Sequence, residues 1–171
     1  STLLARLQER GISIIAEPLK AWQDSGIFSA FYGDMKRWGY TFQTSAFVTR
    51  VKAVEDALRD SPATRNFIGE RSWFADAYVF ERLLHKDGHI SEIEHAAYQQ
   101  WWTWLNHKAP ATRGIIYLRA RPETCLSRIK KRQRSEEAGI PIEYLQGLYA
   151  QHERWLIDKE TPYGKENLKV L

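Results

Sequence analysis

Long apolar runs are missing from this sequence, and so is a second cysteine. No stretch approaches the ~18 consecutive apolar residues of a membrane-crossing helix, so a membrane-spanning protein is not expected. Cys125 stands alone, which rules out an internal disulfide and points to an intracellular setting, with the cytoplasm expected ahead of an organelle reached by a targeting segment; its expected role is a buried structural thiol. The opening STLLARLQERG lacks the form of a signal peptide, because its apolar part is short and interrupted by charge. Metal-binding patterns are scarce too. His85 and His89 sit four apart, but Gly88 lies between them and neither HExxH nor a second cysteine joins in. Repeats, low-complexity tracts and linkers are absent, so residues 1–171 read as one domain.

What is present fits a globular protein with an acidic partner. Hydrophobic residues make up 43% of the chain and charged residues 27%, enough of both for a packed core under a charged surface. The net charge of +4 suits a nucleic acid or a small polyphosphate, and composition alone does not choose between them. Five of those cations fall within residues 128–134, RIKKRQR, followed by Glu136 and Glu137. A helix through this stretch aligns Arg128 with Arg132 and Lys130 with Arg134. Such like-charge pairs cost a few tenths of a kcal/mol each, so an anion is expected to offset them.

Four short apolar segments read as strands: SIIA at 13–16, RNFIG at 65–69, GIIYLRA at 114–120 and LKVL at 168–171. Helical patterns separate them. The clearest are FQTSAFVTRVKAVEDALRD at 42–60, SEIEHAAYQQWWTWLNHK with a capping box from Ser91 to Glu94, and RPETCLSRIKKRQR with Pro122 at its start. Alternating strands and helices predict an α/β fold with a parallel sheet. Trp101, Trp102 and Trp104 occupy more than one helix face, which predicts core or subunit-interface packing rather than a base-stacking platform.

Ligands of parallel α/β sheets bind outside the carboxyl ends of the strands. Glu17 ends the first strand, Glu70-Arg71-Ser72 ends the second, and the basic segment follows the third. Two carboxylates beside a group of guanidiniums suit phosphoryl transfer: a base, a metal-side acid and cations for phosphate charge.

The segments EPLKAW (17–22), RWGYTFQTSAF (37–47), GERSWFADAYVF (69–80), GIIYLRARPETCLSRIKKRQRSEEAGIPIEYL (114–145) and HERWL (152–156) together resemble the deoxyribonucleoside kinase family, in the branch of deoxycytidine, deoxyguanosine and deoxyadenosine kinases. The resemblance covers nearly the whole chain and implies a P-loop kinase-like three-layer fold that uses ATP and Mg²⁺. By it, Glu17 matches the general base for the sugar 5′-hydroxyl. Trp22 is a wall of the nucleoside pocket, Phe80 the ring that stacks on the base, and Gln43 the amide on the base edge. Tyr32 and Glu137 match the pair that holds the 3′-hydroxyl. Glu70 and Ser1 match metal ligands, Arg71 a guanidinium near the transferring phosphate, and Arg128, Arg132 and Arg134 a lid over the ATP phosphates. Ala46, Arg50 and Asp76 match positions that separate members by nucleobase. An Arg–Asp pair there implies deoxycytidine or a purine deoxyribonucleoside over thymidine. A homodimer, or a dimer with a paralogue, is the expected assembly, with neither nucleic acid nor membrane as partner.

The phosphate-loop pattern GxxxxGK[ST] does not occur in the 171 residues; by the resemblance, Ser1 aligns with its last position and Thr2 with the residue after it. The resemblance therefore implies a chain incomplete at both ends, lacking the central strand between 65–69 and 114–120. Alone, such a chain is expected to be inactive and prone to aggregate. Two other classes compete. A non-catalytic pseudo-kinase subunit would need none of Glu17, Glu70, Arg71 or the lid arginines. A nucleic-acid-binding module would need aromatics interleaved with the cations, and those are absent.

Overall fold

The computed structural model describes residues 2–60, 66–161 and 169–171. Four short strands are paired in parallel, two by two. Strand β1 (Ser13–Ile15) lies beside β2 (Phe67–Gly69), with Ser13 opposite Phe67 and Ile15 opposite Gly69. Strand β3 (Gly114–Ile115) lies beside β4 (Lys169–Val170). Among the described residues these are two separate sheets, and nothing pairs β2 with β3.

The strand expected at 114–120 is much shorter than its sequence pattern. Backbone hydrogen bonds from Tyr117 to Leu171 and from Leu171 to Ile115 continue the pairing a little. Among the described residues the segment has a strand on one side only, and its side chains alternate. Ile115 and Tyr117 pack on the core, while Ile116 and Leu118 are exposed.

Helices supply most of the structure, and local chemistry sets their ends. Helix α1 (Thr2–Glu9) precedes β1, and the short α2 (Leu19–Asp24) and α3 (Ile27–Gly33) follow it. Helix α4 (Met35–Arg59) begins seven residues earlier than the expected span, because the Asp34 side chain caps it by accepting from the Arg37 amide at 3.0 Å. After β2 the chain turns into α5 (Trp73–Ala75), a π-helical turn (Asp76–Glu81) and α6 (Arg82–Lys86). Helix α7 (Glu92–Lys108) has the expected capping box at Ser91 and Glu94.

Helix α8 (Pro122–Arg132) opens on Pro122 as expected, but it stops two residues short of Arg134. Gln133 adopts a left-handed conformation, φ 54°, and turns the chain into a 3₁₀ turn (Ser135–Glu137). Lys130 and Arg134 therefore never align on a helix. Lys130, Lys131 and Arg132 instead occupy the last turn, where cations complement the unpaired carbonyls. Cys125, expected to be buried, is half-buried on this helix, which has no fully buried residue. Helix α9 (Ile142–Leu156) closes the order before β4.

Two apolar clusters form the core. One joins α4, α5, the π turn, α7 and the end of α9 around Phe47, Tyr78, Tyr98 and Trp102. The other joins α2, α3, the first half of α4, α6 and the start of α9 around Phe31, Phe42 and Leu84. Of the three neighbouring tryptophans, Trp102 is core, whereas Trp101 and Trp104 are exposed.

Candidate active site

A cavity of about 890 Å³ opens at the carboxyl ends of β1 and β2. It is large enough for a nucleoside-sized ligand. Helix α4 supplies one wall by periodicity: Gln43 and Arg50, seven residues apart, share its buried face, and both line the cavity. Trp22 arrives from α2 and is fixed by a hydrogen bond from Nε1 to Thr49 Oγ1 at 3.1 Å. Phe42 meets Trp22 edge-on at 5.4 Å and stacks on Phe31 at 4.7 Å.

Buried charge organises the floor. The Arg50 guanidinium bridges two carboxylates, donating from Nη1 to Asp76 Oδ1 and from Nη2 to Glu17 Oε1. Arg71 Nε lies 3.7 Å from the same Glu17 oxygen. Burial alone would raise the Glu17 carboxyl, but Arg71 and Arg50 outweigh it and hold Glu17 below the usual carboxylate range. Asp76 is wholly enclosed, with Arg50 as its ion-pair partner. Burial pushes its carboxyl above the usual value against that pull. Burial and the two arginines thus separate two acids by environment, with Glu17 the readily ionised one.

Arg71 takes a left-handed backbone conformation, φ 70°, uncommon outside glycine and costing roughly 1–3 kcal/mol. That turn ends β2 and aims the guanidinium over the Phe80 ring, 4.6 Å from its centroid. His152, from HERWL, meets the Phe80 edge at 6.4 Å. A base stacking on Phe80 must use its other face or displace Arg71.

Glu137 gathers the basic segment. Arg132 donates from Nε at 3.1 Å and also from Nη2 to one oxygen, and Arg134 donates from Nη1 to the other at 3.2 Å. The anion that offsets these two cations in the unliganded chain is therefore Glu137. Arg128 and Lys131 also line the cavity, and Arg128 makes no ion pair among the described residues. Opposite, burial first and then the Glu137 charge push the Tyr32 phenol up to about 12, so it keeps its proton and can donate. A hydrogen bond from Gln23 to Glu136, 2.9 Å, ties α2 to this 3₁₀ turn.

Of the residues expected at the site, Glu17, Trp22, Tyr32, Gln43, Arg50, Glu70, Arg71, Asp76, Phe80, Arg128, Arg132, Arg134 and Glu137 all line this one cavity. Ala46 does not; it is buried behind the wall in the aromatic cluster with Trp22 and Phe42. Ser1 lies outside the described residues. Sequence reasoning missed Tyr144, which lines the cavity from α9, because nothing in IEYL distinguishes it from a core tyrosine. It also missed the link from Arg50 to Glu17, since the two are 33 residues apart. Among the described residues, no three His, Cys, Asp or Glu side chains are grouped to hold a metal, and no helix is long and apolar enough to cross a membrane.

Three residues that line the cavity carry an enclosed side-chain atom with no hydrogen-bond partner among the described residues: Gln43 Oε1, Asp76 Oδ2 and Tyr144 OH. Each such atom costs about 1–3 kcal/mol if left unsatisfied. Aromatic rings and polar side chains line the cavity together, which suits a ligand with flat faces and polar edges.

The sequence profile described as "Deoxynucleoside kinase" matches residues 1–169, and the chain belongs to the deoxynucleoside kinase family. Among individual relatives, it is 39% identical over 157 residues to the "Probable deoxycytidine kinase" of fowlpox virus, an alignment covering 91% of this chain and 66% of that protein. It is 37% identical to deoxycytidine kinase 2 of Gallus gallus, covering 100% of this chain and 74% of the relative. The identity to the mitochondrial deoxyguanosine kinase of Xenopus laevis is 36%, covering 92% and 68%. The chain thus spans about two thirds of the length of these relatives.

Proposed function

We propose that this chain is the nucleoside-binding body and lid of an ATP-dependent deoxyribonucleoside 5′-kinase. The observation that carries the reading is one cavity lined by the aromatic rings of Trp22, Phe42 and Phe80 together with Glu17, Gln43, Arg50 and Asp76. A nucleobase offers flat faces for the walls and a hydrogen-bonding edge for the amide and carboxylate. Tyr32 and Glu137 then hold the sugar 3′-hydroxyl. Glu17, kept ionised by Arg71 and Arg50, accepts the 5′-hydroxyl proton as that oxygen attacks the γ-phosphorus, while Arg71 and Arg128 face the developing phosphate charge.

Magnesium fits this donor set, because that ion commonly takes only one or two carboxylates and fills its shell with phosphate oxygens and water. Glu70, at the cavity beside Arg71, would hold it, and the bound ion would neutralise phosphate charge. The glycine-rich phosphate loop is assigned to no residue here. We place the strand that feeds it between β2 and β3, where the described strands leave their inner edges unpaired. For residues 1–171 alone this reading gives nucleoside binding without turnover. Phosphate transfer from ATP by residues 1–171 alone would overturn it.

Titrating the chain with deoxycytidine, deoxyadenosine, deoxyguanosine and thymidine, followed by tryptophan fluorescence through Trp22, tests the base preference. The expected result is saturable binding with thymidine the weakest. Thymidine binding more tightly than all three others would sink the Arg50–Asp76 argument.

The assembly proposed is a homodimer through the outer face of α7, where Ile93, Trp101 and Trp104 are exposed. Sedimentation equilibrium should return twice the chain mass, and Trp101→Ala/Trp104→Ala should return the monomer. A monomeric parent protein would remove the proposal.

A further inference from the structure

The π-helical turn is held at both ends by charged side chains pointing opposite ways. Its first residue, Asp76, is tied into the cavity floor by Arg50. Its last residue, Glu81, is completely buried and faces away, toward α7, where its Oε1 lies 2.7 Å from His95 Nδ1. The other ring nitrogen of His95 is 2.6 Å from Gln99 Nε2. His85 lies parallel on the His95 ring, with centroids 3.9 Å apart, and its Nε2 is 3.0 Å from Glu92 Oε1. One neutral assignment satisfies His95: Nδ1–H donates to Glu81, and Nε2 accepts from the Gln99 amide.

A π turn closes i→i+5, one residue wider than an α turn, and persists in short pieces at functional sites where surroundings impose it. Asp76 and Glu81 are the two ends of one such closure. Between them lies Phe80, which lines the cavity together with Asp76. If the turn relaxed to α geometry, Asp76 and Phe80 would change their angle about the helix axis, and with it their aim at the ligand.

We propose that Glu81 and His95 are positioning residues for nucleobase recognition: by pinning the far end of the π turn to α7, they fix the angle at which Asp76 and Phe80 enter the cavity. Neither touches the cavity itself. The inference rests on the nucleoside-binding reading above for its functional consequence, and on the geometry of the turn for its structural one.

The test pairs Glu81→Ala with Glu81→Gln, whose amide oxygen still accepts from His95 Nδ1–H. In Glu81→Ala the crystal structure should show residues 76–81 relaxed to α geometry. Its affinity for the preferred nucleoside should fall about tenfold, the scale of one lost hydrogen bond to a charged group, and its ranking of bases should narrow. Glu81→Gln should keep the π turn and the ranking. A merely structural role would lower the melting temperature and weaken every nucleoside by one common factor, and that outcome overturns the proposal. So does a retained π turn in Glu81→Ala. If that variant does not fold, His95→Phe carries the same readouts, since it keeps a ring against His85 and removes the hydrogen bond. A wild-type chain that binds no nucleoside would defeat the functional reading alone, while the geometry of the turn would still decide this one.

Discussion

Glu17→Gln in the full-length protein is expected to lower turnover by roughly 10²-fold or more, with nucleoside affinity largely kept. The amide is isosteric and still accepts from Arg50 Nη2, so the floor of the cavity stays assembled; what disappears is the proton acceptor. The environment fixes the pH behaviour as well. Arg71 and Arg50, overcoming burial, hold Glu17 below its ordinary 4.5, so it remains ionised through the neutral range. The acidic limb of the wild-type rate profile should therefore fall below the ordinary carboxylate value. The stability consequence has a definite sign. A carboxyl depressed in the folded state contributes stability above its unfolded value near 4.5 and loses it as pH falls through the folded value. Acid unfolding of Glu17→Gln should accordingly be shallower below pH ~4.5 than that of the wild type. Unchanged single-turnover rates in Glu17→Gln would remove Glu17 from the role of base.

Arg50→Ala is expected to cost about 3–5 kcal/mol of folding stability, the scale of leaving a buried charge without its partner. Asp76 is 1% exposed and one of its oxygens already lacks a protein partner, so the substitution strands it. Glu17 fares better because Arg71 is still 3.7 Å away. The combined Arg50→Met/Asp76→Ala variant should recover most of the loss, since it removes the stranded carboxylate and refills the space with apolar volume. Urea unfolding of the three proteins measures both effects. A single variant within about 1 kcal/mol of wild type would mean that water, rather than Arg50, satisfies Asp76. The same double variant should narrow the gap between deoxycytidine and thymidine binding, because the donor–acceptor pair at the base edge is gone.

The parts of the fold that could be read from the chain are those whose cause is local. Ser91 and Glu94 cap α7 with atoms three residues apart, and Pro122 opens α8 by its own ring geometry. SIIA forms a strand of nearly its expected length, and EPLKAW with GERSWFADAYVF places Glu17, Trp22, Glu70, Arg71, Asp76 and Phe80 of the cavity lining on two stretches of sequence. Less legible was anything set by a neighbour. GIIYLRA has the composition of a buried strand yet pairs over a short length, because ladder length depends on what lies alongside. The basic helix ends at Arg132 rather than Arg134 because Gln133 turns the chain so that both arginines reach Glu137.

The sequence by itself determined the α/β alternation, the starts of α7 and α8, and the residue types that line the cavity. Each depends on torsional preference, capping or apolar period over a few residues. Only the tertiary structure decided that Arg50 is shared between Glu17 and Asp76, that Ala46 sits behind the wall, that Glu137 pairs with Arg132 and Arg134, and that a π turn runs from Asp76 to Glu81. In each case burial came first. A side chain removed from water takes its partner from whatever the packing brings within reach, and partners 26 or 33 residues apart leave no local trace of the choice.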